Sequence, residues 1–174
     1  MQAIKLSGLF RVTLLALFVF IGTFSYGQMS MEEYKAENEG WLVSINDAYE
    51  KSQKTGKPIL ANFTGSDWCG WCKRLTKSVF IHDEFKTWAK KNVILLELDF
   101  PRRKQLPPEI RQQNASLQKA FSVRGYPTIY VFDLSKNDKG EFAISALGKT
   151  NYKKTVKEFT DDVDAMLARR GSGE

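Results

Sequence analysis

The chain has 174 residues, 43% of them apolar and 26% charged, the balance of one ordinary globular domain rather than of a disordered or fibrous chain. Its net charge of +6 comes from scattered basic residues, with local clusters such as Arg102-Arg103-Lys104 and Lys153-Lys154 that lack interleaved aromatics, so the composition argues against nucleic-acid binding. Only two cysteines occur, Cys69 and Cys72, too close in sequence to staple a long loop, which makes their purpose chemical rather than structural.

At the N-terminus Lys5 and Arg11 precede an apolar run from Val12 to Ile21, and small residues follow at Gly22, Ser25 and Gly27. This is the layout of a secretory signal peptide. The run falls short of the roughly 20 residues that a membrane crossing needs. Residues 1–27 are therefore read as a signal peptide cut after Gly27, with retention as an uncleaved anchor as the alternative and the only expected route to a membrane. No cysteine lies near the cut, so a lipid anchor is not expected. Removal of this stretch leaves 24 basic against 20 acidic residues, a net +4. Residues 28–40 read as a polar lead-in, 41–168 as the folded domain and 169–174 as a short tail; the protein is expected to be exported, to a periplasm or cell envelope.

Trp41, Leu42, Ile45, Ala48 and Tyr49 repeat at helical spacing, and Gly56 before Pro58 gives a stop, which predicts a first helix. Residues 58–64 form an apolar run of strand length. The cysteine motif comes next through Gly65-Ser66-Asp67, and Leu75 and Val79 keep a helical step beyond it, so the motif falls at a strand-to-helix junction. Phe85, Trp88 and Ala89 predict another short helix or a helical extension, with Asp83 as its N-cap. Residues 93–100 are nearly continuous in apolar side chains, the pattern of a strand covered on both faces with neighbours that are parallel or central. The polar stretch from Pro101 to Pro108 breaks the pattern, and Ile110, Leu117 and Phe121 predict a helix after it. Two further strands follow, over 128–132 and 142–147, joined by a turn at Asn137-Asp138-Lys139-Gly140. Val156, Phe159, Val163, Met166 and Leu167 then predict a last helix, capped by Thr150 or Asn151 and closed by Arg169 and Arg170.

A thiolate attacks a disulfide sulfur, forms a mixed disulfide, and is released when a second thiol attacks in turn. Free backbone N–H groups at a helix start favour the thiolate of Cys69, which assigns it as nucleophile. Cys72, one turn further in, is expected to be less exposed and to resolve the intermediate.

Here the sequence resembles the thioredoxin superfamily, and in particular exported thioredoxin-like proteins, on Phe63-Thr64-Gly65-Ser66-Asp67-Trp68-Cys69-Gly70-Trp71-Cys72-Lys73 and on Gly125-Tyr126-Pro127-Thr128. The resemblance covers about residues 40–168. It implies an α/β thioredoxin fold, three layers α/β/α around a central mixed sheet. It also implies that Pro127 is the family's cis-proline and that Tyr126 offers its backbone to an extended substrate segment. The substrate-facing residues are then Trp68, Gly70, Trp71, Tyr126 and Pro127. Two departures stand out. The family's buried acid before the motif is Asn62 here, and its lysine partner falls at Leu95; Glu97 or a water is left to substitute. Gly70-Trp71 between the cysteines matches neither the reducing nor the strongly oxidising members, so redox direction stays open. Trp71 either forms an apolar rim for substrate or packs on neighbouring loops, and Trp68 is expected to pack.

The implied activity is dithiol–disulfide exchange with cysteine-containing exported proteins and with a redox partner protein, by a monomer using its Cys69–Cys72 disulfide and no metal or organic cofactor. Two rivals are weighed. One is a zinc half-site, disfavoured because four ligands are the rule and the only histidine, His82, reads as a surface or helix-start residue. The other is a binding or chaperone-like module that keeps the fold without turnover. The basic loop 101–108 reads as a solvated face in preference to a dock for an acidic partner, and Asp161, Asp162 and Asp164 as the wet face of the last helix.

Overall fold

The computed structural model describes Ser30 and residues 33–170, so the expected signal peptide lies outside the described residues. Ser44 opens α1 (Ile45–Thr55) by accepting the Asp47 backbone N–H at 3.2 Å, and Gly56, in the left-handed region at φ 69°, closes it. Trp41 and Leu42 therefore precede the helix, contrary to the periodicity reading. Leu42 instead forms an isolated parallel bridge with Leu96. Trp41 packs its indole against Phe80 at 4.8 Å and Phe85 at 6.3 Å between ring centroids.

Four strands form one mixed sheet in the order β2-β1-β3-β4. β1 (Ile59–Thr64) pairs parallel with β2 (Ile94–Asp99), and antiparallel with β3 (Thr128–Lys136), which pairs antiparallel with β4 (Phe142–Thr150). Every residue of β1 is buried, as expected for a strand with helices on both faces. β2 is parallel to its neighbour but not central: the Leu42 bridge is its only pairing on the outer side among the described residues.

Strand alternation sends Leu60, Ile129 and Val131 to one face, with Leu75, Val79, Phe85, Phe159 and Val163 from α2 (Gly70–Leu75), a wider π-turn (Thr76–Phe80), α3 (Asp83–Asn92) and α5 (Val156–Arg170). Ile59, Ala61, Phe63 and Phe132 face the other way, onto Ile45 and Ala48 of α1 and Leu117 of α4 (Pro108–Ala120). The result is the three-layer α/β/α arrangement. Each fully buried phenylalanine here contributes about 1.5–3 kcal/mol through apolar burial.

Some boundaries differ from the sequence reading. His82, not Asp83, occupies the N-cap position of α3. α5 is capped by Thr155, whose hydroxyl accepts the Glu158 N–H at 3.2 Å, while Thr150 donates to Asp162 at 2.7 Å. The helix runs through Arg170, which pairs with Asp133 at 2.8 Å. β3 and β4 extend past their apolar runs, to 136 and 150, because backbone pairing continues there through residues of mixed polarity, Asp133 to Lys136 and Gly148 to Thr150.

Candidate active site

The loop leaving β1 is tied down before it reaches the cysteines. Ser66 donates its N–H and hydroxyl to the Asp99 carboxylate, at 2.8 and 2.5 Å, and the Cys69 N–H donates to Gly65 O at 2.8 Å. Asp67 turns outward to accept the backbone N–H groups of Arg102, at 3.1 Å, and Arg103, at 2.7 Å. Desolvation opposes ionisation of this carboxyl, but those backbone donors outweigh it and hold Asp67 below the ordinary aspartate range. The basic loop is thus anchored to the cysteine loop while its side chains remain exposed.

Trp68 packs as expected. Its indole N–H donates to Phe100 O at 2.8 Å, its ring meets Tyr126 edge-on at 5.7 Å, and the Arg102 guanidinium lies 3.9 Å from its centroid. Gly65 lies against the same ring so closely that a Cβ there would fall 2.5 Å from Trp68 Cε2.

Cys69 caps α2, its sulfur accepting the Cys72 N–H at 3.1 Å. The two cysteines form a disulfide with Cα atoms 5.3 Å apart. At 5% and 4% exposure the two residues are equally buried in this disulfide. What separates them is position, Cys69 at the helix end among free N–H groups and Cys72 inside the first turn.

The Tyr126–Pro127 bond is cis. Tyr126 also accepts a hydrogen bond on its hydroxyl from Gln118 at 2.6 Å, and burial, reinforced by the Asp99 charge, raises its phenol. Trp71, Gly125, Tyr126, Pro127, Thr128, Asn151 and Tyr152 line one open groove of about 480 Å³, which joins the segment between the cysteines to the proline loop. Trp71 is 53% exposed, and it packs on Tyr152 at 5.0 Å and carries the Arg74 guanidinium at 4.5 Å. Gly70 is exposed with open space where a side chain would be. A larger cavity, about 700 Å³ and lined by Asp47 and the stretch from Tyr34 to Ser44, contains neither cysteine.

Asn62, where the resemblance places an acid, is 2% exposed and its Oδ1 has no hydrogen-bond partner among the described residues. Glu97 stands opposite it in the β1–β2 register, but its carboxylate is taken by the lead-in, accepting from Glu37 N at 2.7 Å, Asn38 N at 3.2 Å and Asn38 Nδ2 at 2.6 Å. Burial first, then the Asp99 charge, push the Glu97 carboxyl up against those donors. Burial likewise raises Asp99 against its bonds from Ser66. Leu95 is half-buried and packs on the core.

The remaining sequence candidates lie elsewhere. His82 is exposed at the start of α3, a ring nitrogen 3.0 Å from Lys77 O. The described residues gather no group of three or more His, Cys, Asp and Glu able to hold a metal. Asp161 pairs with Lys157 at 2.6 Å, Asp162 with Lys153 at 2.6 Å, and Asp164 accepts the Trp88 N–H at 2.9 Å. Sequence reasoning missed Tyr152, Arg74 and the role of Arg102. A tyrosine and two arginines carry no local signature, and only the fold brings them to the two tryptophans.

A cysteine pair that closes its disulfide across the first turn of a helix, after a buried strand and beside a cis-proline loop, defines a thiol–disulfide oxidoreductase of thioredoxin fold. A family model described as thioredoxin-like matches residues 40–133. The chain is 34% identical over 122 residues to the disulfide bond reductase DsbH of Chlamydia pneumoniae, covering 70% of this chain and 73% of that protein. It is 28% identical over 108 residues to the thioredoxin-related protein DsbJ of Chlamydia pneumoniae, covering 62% of this chain and 30% of that one. A solved structure of a DsbH oxidoreductase superposes with a TM-score of 0.63 at 30% identity, over 76% of this chain and 87% of the other. The chain belongs to the thioredoxin-like family.

Proposed function

We propose that the protein works as a reductase of disulfides in exported, cysteine-containing proteins, with Cys69 as nucleophile and Cys72 as resolving thiol. The observation that carries the role assignment is the Cys72 N–H donated to the Cys69 sulfur at 3.1 Å. The same donor stabilises a Cys69 thiolate once the disulfide is reduced.

The exchange balances without a bound cofactor. The Cys69 thiolate attacks one sulfur of the substrate disulfide, that S–S bond breaks, and the other substrate sulfur leaves as a thiolate. Cys72, deprotonated, then attacks the Cys69 sulfur, the mixed disulfide breaks and the second substrate thiol leaves. Two electrons pass to the substrate, and a separate redox partner must return them to Cys69–Cys72. The direction is supported by the likeness to the protein named disulfide bond reductase. Export is supported by the charged, apolar and small-residue layout of residues 1–27.

Equilibration of the Cys69–Cys72 couple against dithiothreitol tests this reading. A reductase is expected near the roughly −270 mV of thioredoxin, and a value near the roughly −120 mV of a strong oxidant overturns the proposed direction. A binding module without turnover shows no catalysis of model protein disulfide reduction at any ratio of thiol to disulfide.

A further inference from the structure

Each tryptophan of the Trp68-Cys69-Gly70-Trp71-Cys72 segment carries a guanidinium on its ring: Arg102 on Trp68, before the first cysteine, and Arg74 on Trp71, before the second. They come from different parts of the chain, Arg74 from α2 and Arg102 from the loop that Asp67 anchors by its backbone. Both arginines are exposed, and neither is in a salt bridge among the described residues.

A guanidinium held over an aromatic ring by its charge spends none of its five N–H donors on a hydrogen-bond acceptor, and these donors fit a carboxylate bidentately. The ring contact also restrains the side chain, so less rotamer freedom is lost when an anion arrives. The one acidic side chain in the cysteine loop, Asp67, accepts backbone donors of the basic loop and forms no salt bridge with either arginine among the described residues. Two charged, pre-positioned and unpaired donors therefore flank a disulfide whose neighbouring groove is lined by Trp71, Pro127 and Tyr152.

We propose that Arg74 and Arg102 determine specificity by selecting extended protein segments in which Asp or Glu flanks the disulfide to be reduced. This rests on the reductase reading and names the substrate class for that same site. Charge complementarity decides the occupant: two guanidiniums carried on the tryptophans that adjoin Cys69 and Cys72 repel lysine-rich segments and attract acidic ones to the cysteine segment.

The test uses the reduced full-length protein and three synthetic peptides, each closed by one disulfide, with Glu, Gln or Lys beside both cysteines. Reduction is followed by mass spectrometry. At about 10 mM salt the Glu peptide is expected to have roughly tenfold higher kcat/KM than the Lys peptide, with Gln between. At about 1 M salt, where screening acts over about 3 Å, the ratio should fall to within about twofold. The double variant Arg74→Gln, Arg102→Gln should lose the preference at low salt while keeping a cooperative thermal melt and its rate with the Gln peptide within about twofold. Equal rates for Glu and Lys peptides in the wild-type protein overturn the proposal without recourse to any variant, as does a preference that survives either high salt or the double variant. Glutathione disulfide is a parallel arm: the same charge dependence there, and none among the peptides, overturns a protein segment as the occupant. No exchange with any disulfide refutes instead the underlying reductase reading.

Discussion

Gly65→Ala is the sharpest test of how the fold holds the site. The backbone of Gly65 needs no left-handed conformation, so the entire effect is steric: a Cβ would stand 2.5, 2.6 and 2.8 Å from Cε2, Nε1 and Cζ2 of Trp68. None of these atoms lies at the end of a flexible chain. The indole is pinned by its N–H bond to Phe100 O at 2.8 Å, by Tyr126 at its edge and by Arg102 on its face. Relieving the overlap costs about 1–3 kcal/mol as overpacking. Breaking the indole hydrogen bond adds about 0.5–1.5 kcal/mol. The sum, about 1.5–4.5 kcal/mol, lowers the melting temperature of a chain this size by roughly 3–18 °C. Circular dichroism of the oxidised protein measures it, and the same variant should slow exchange with protein disulfides because Trp68 and Arg102 shift together. In a Trp68→Ala background the added methyl should cost almost nothing, since the overlap has gone. A Gly65→Ala protein that melts within 2 °C of wild type, or one as destabilised with Trp68 absent as with it present, refutes the steric reasoning (the 2 °C margin being about 0.5–1 kcal/mol).

Gly148→Ala offers the contrast: the new Cβ meets Met166 Cγ at 2.7 Å and Sδ at 2.8 Å, an unbranched thioether that can move aside, so its melting point should fall less than that of Gly65→Ala. Gly70→Ala, at the open first position of α2, should leave stability equal or slightly raised by up to about 1 kcal/mol in urea melts, while slower reduction of protein disulfides than of small ones would report close backbone approach by substrate. Stability should also depend on pH through Glu97 and Asp99, whose carboxyls burial raises. Between the unfolded values near 4 and the raised folded values, the native state keeps protons that the unfolded chain has released. Stability therefore falls as pH rises through that window, by up to about 1.4 kcal/mol per pH unit for each group. Asp67 and Asp162, held low, act in the opposite sense and only below the ordinary aspartate range. Urea midpoints against pH should show the decline, and Glu97→Gln should flatten it; a midpoint that rises across that window contradicts the assignment.

Much of the architecture was legible because the apolar runs at 59–64 and 94–99 are strands covered by helices, and such strands announce themselves without alternation. The cysteine motif and the proline loop were legible through spacing and resemblance. Trp41 and Leu42 misled because their spacing from Ile45 fits a helix, whereas Ser44 caps the helix after them and Leu42 is drawn to the open edge of β2. The end of β4 was missed because Gly148, Lys149 and Thr150 lie beyond the apolar run and carry no strand pattern of their own. The basic loop read as a plain solvated face, since nothing in a run of Arg-Arg-Lys announces that Asp67 takes its backbone and Trp68 its first guanidinium. Glu97 was named as a stand-in for the missing acid at Asn62, and the register does set the two side by side, yet the lead-in occupies its carboxylate.

The central claim is that Cys69 attacks and Cys72 resolves. Replacing Cys72 with Ala should leave the first step intact and remove the intramolecular escape, so disulfide-linked adducts between Cys69 and exported proteins should accumulate. They are read on non-reducing gels of envelope extracts and identified by mass spectrometry, with Cys69→Ala giving far fewer. Reductant-sensitive adducts that depend on Cys69 are the predicted result; their absence in Cys72→Ala, under conditions where the wild-type protein reduces a model disulfide, or their appearance through Cys72 in Cys69→Ala instead, would contradict the account.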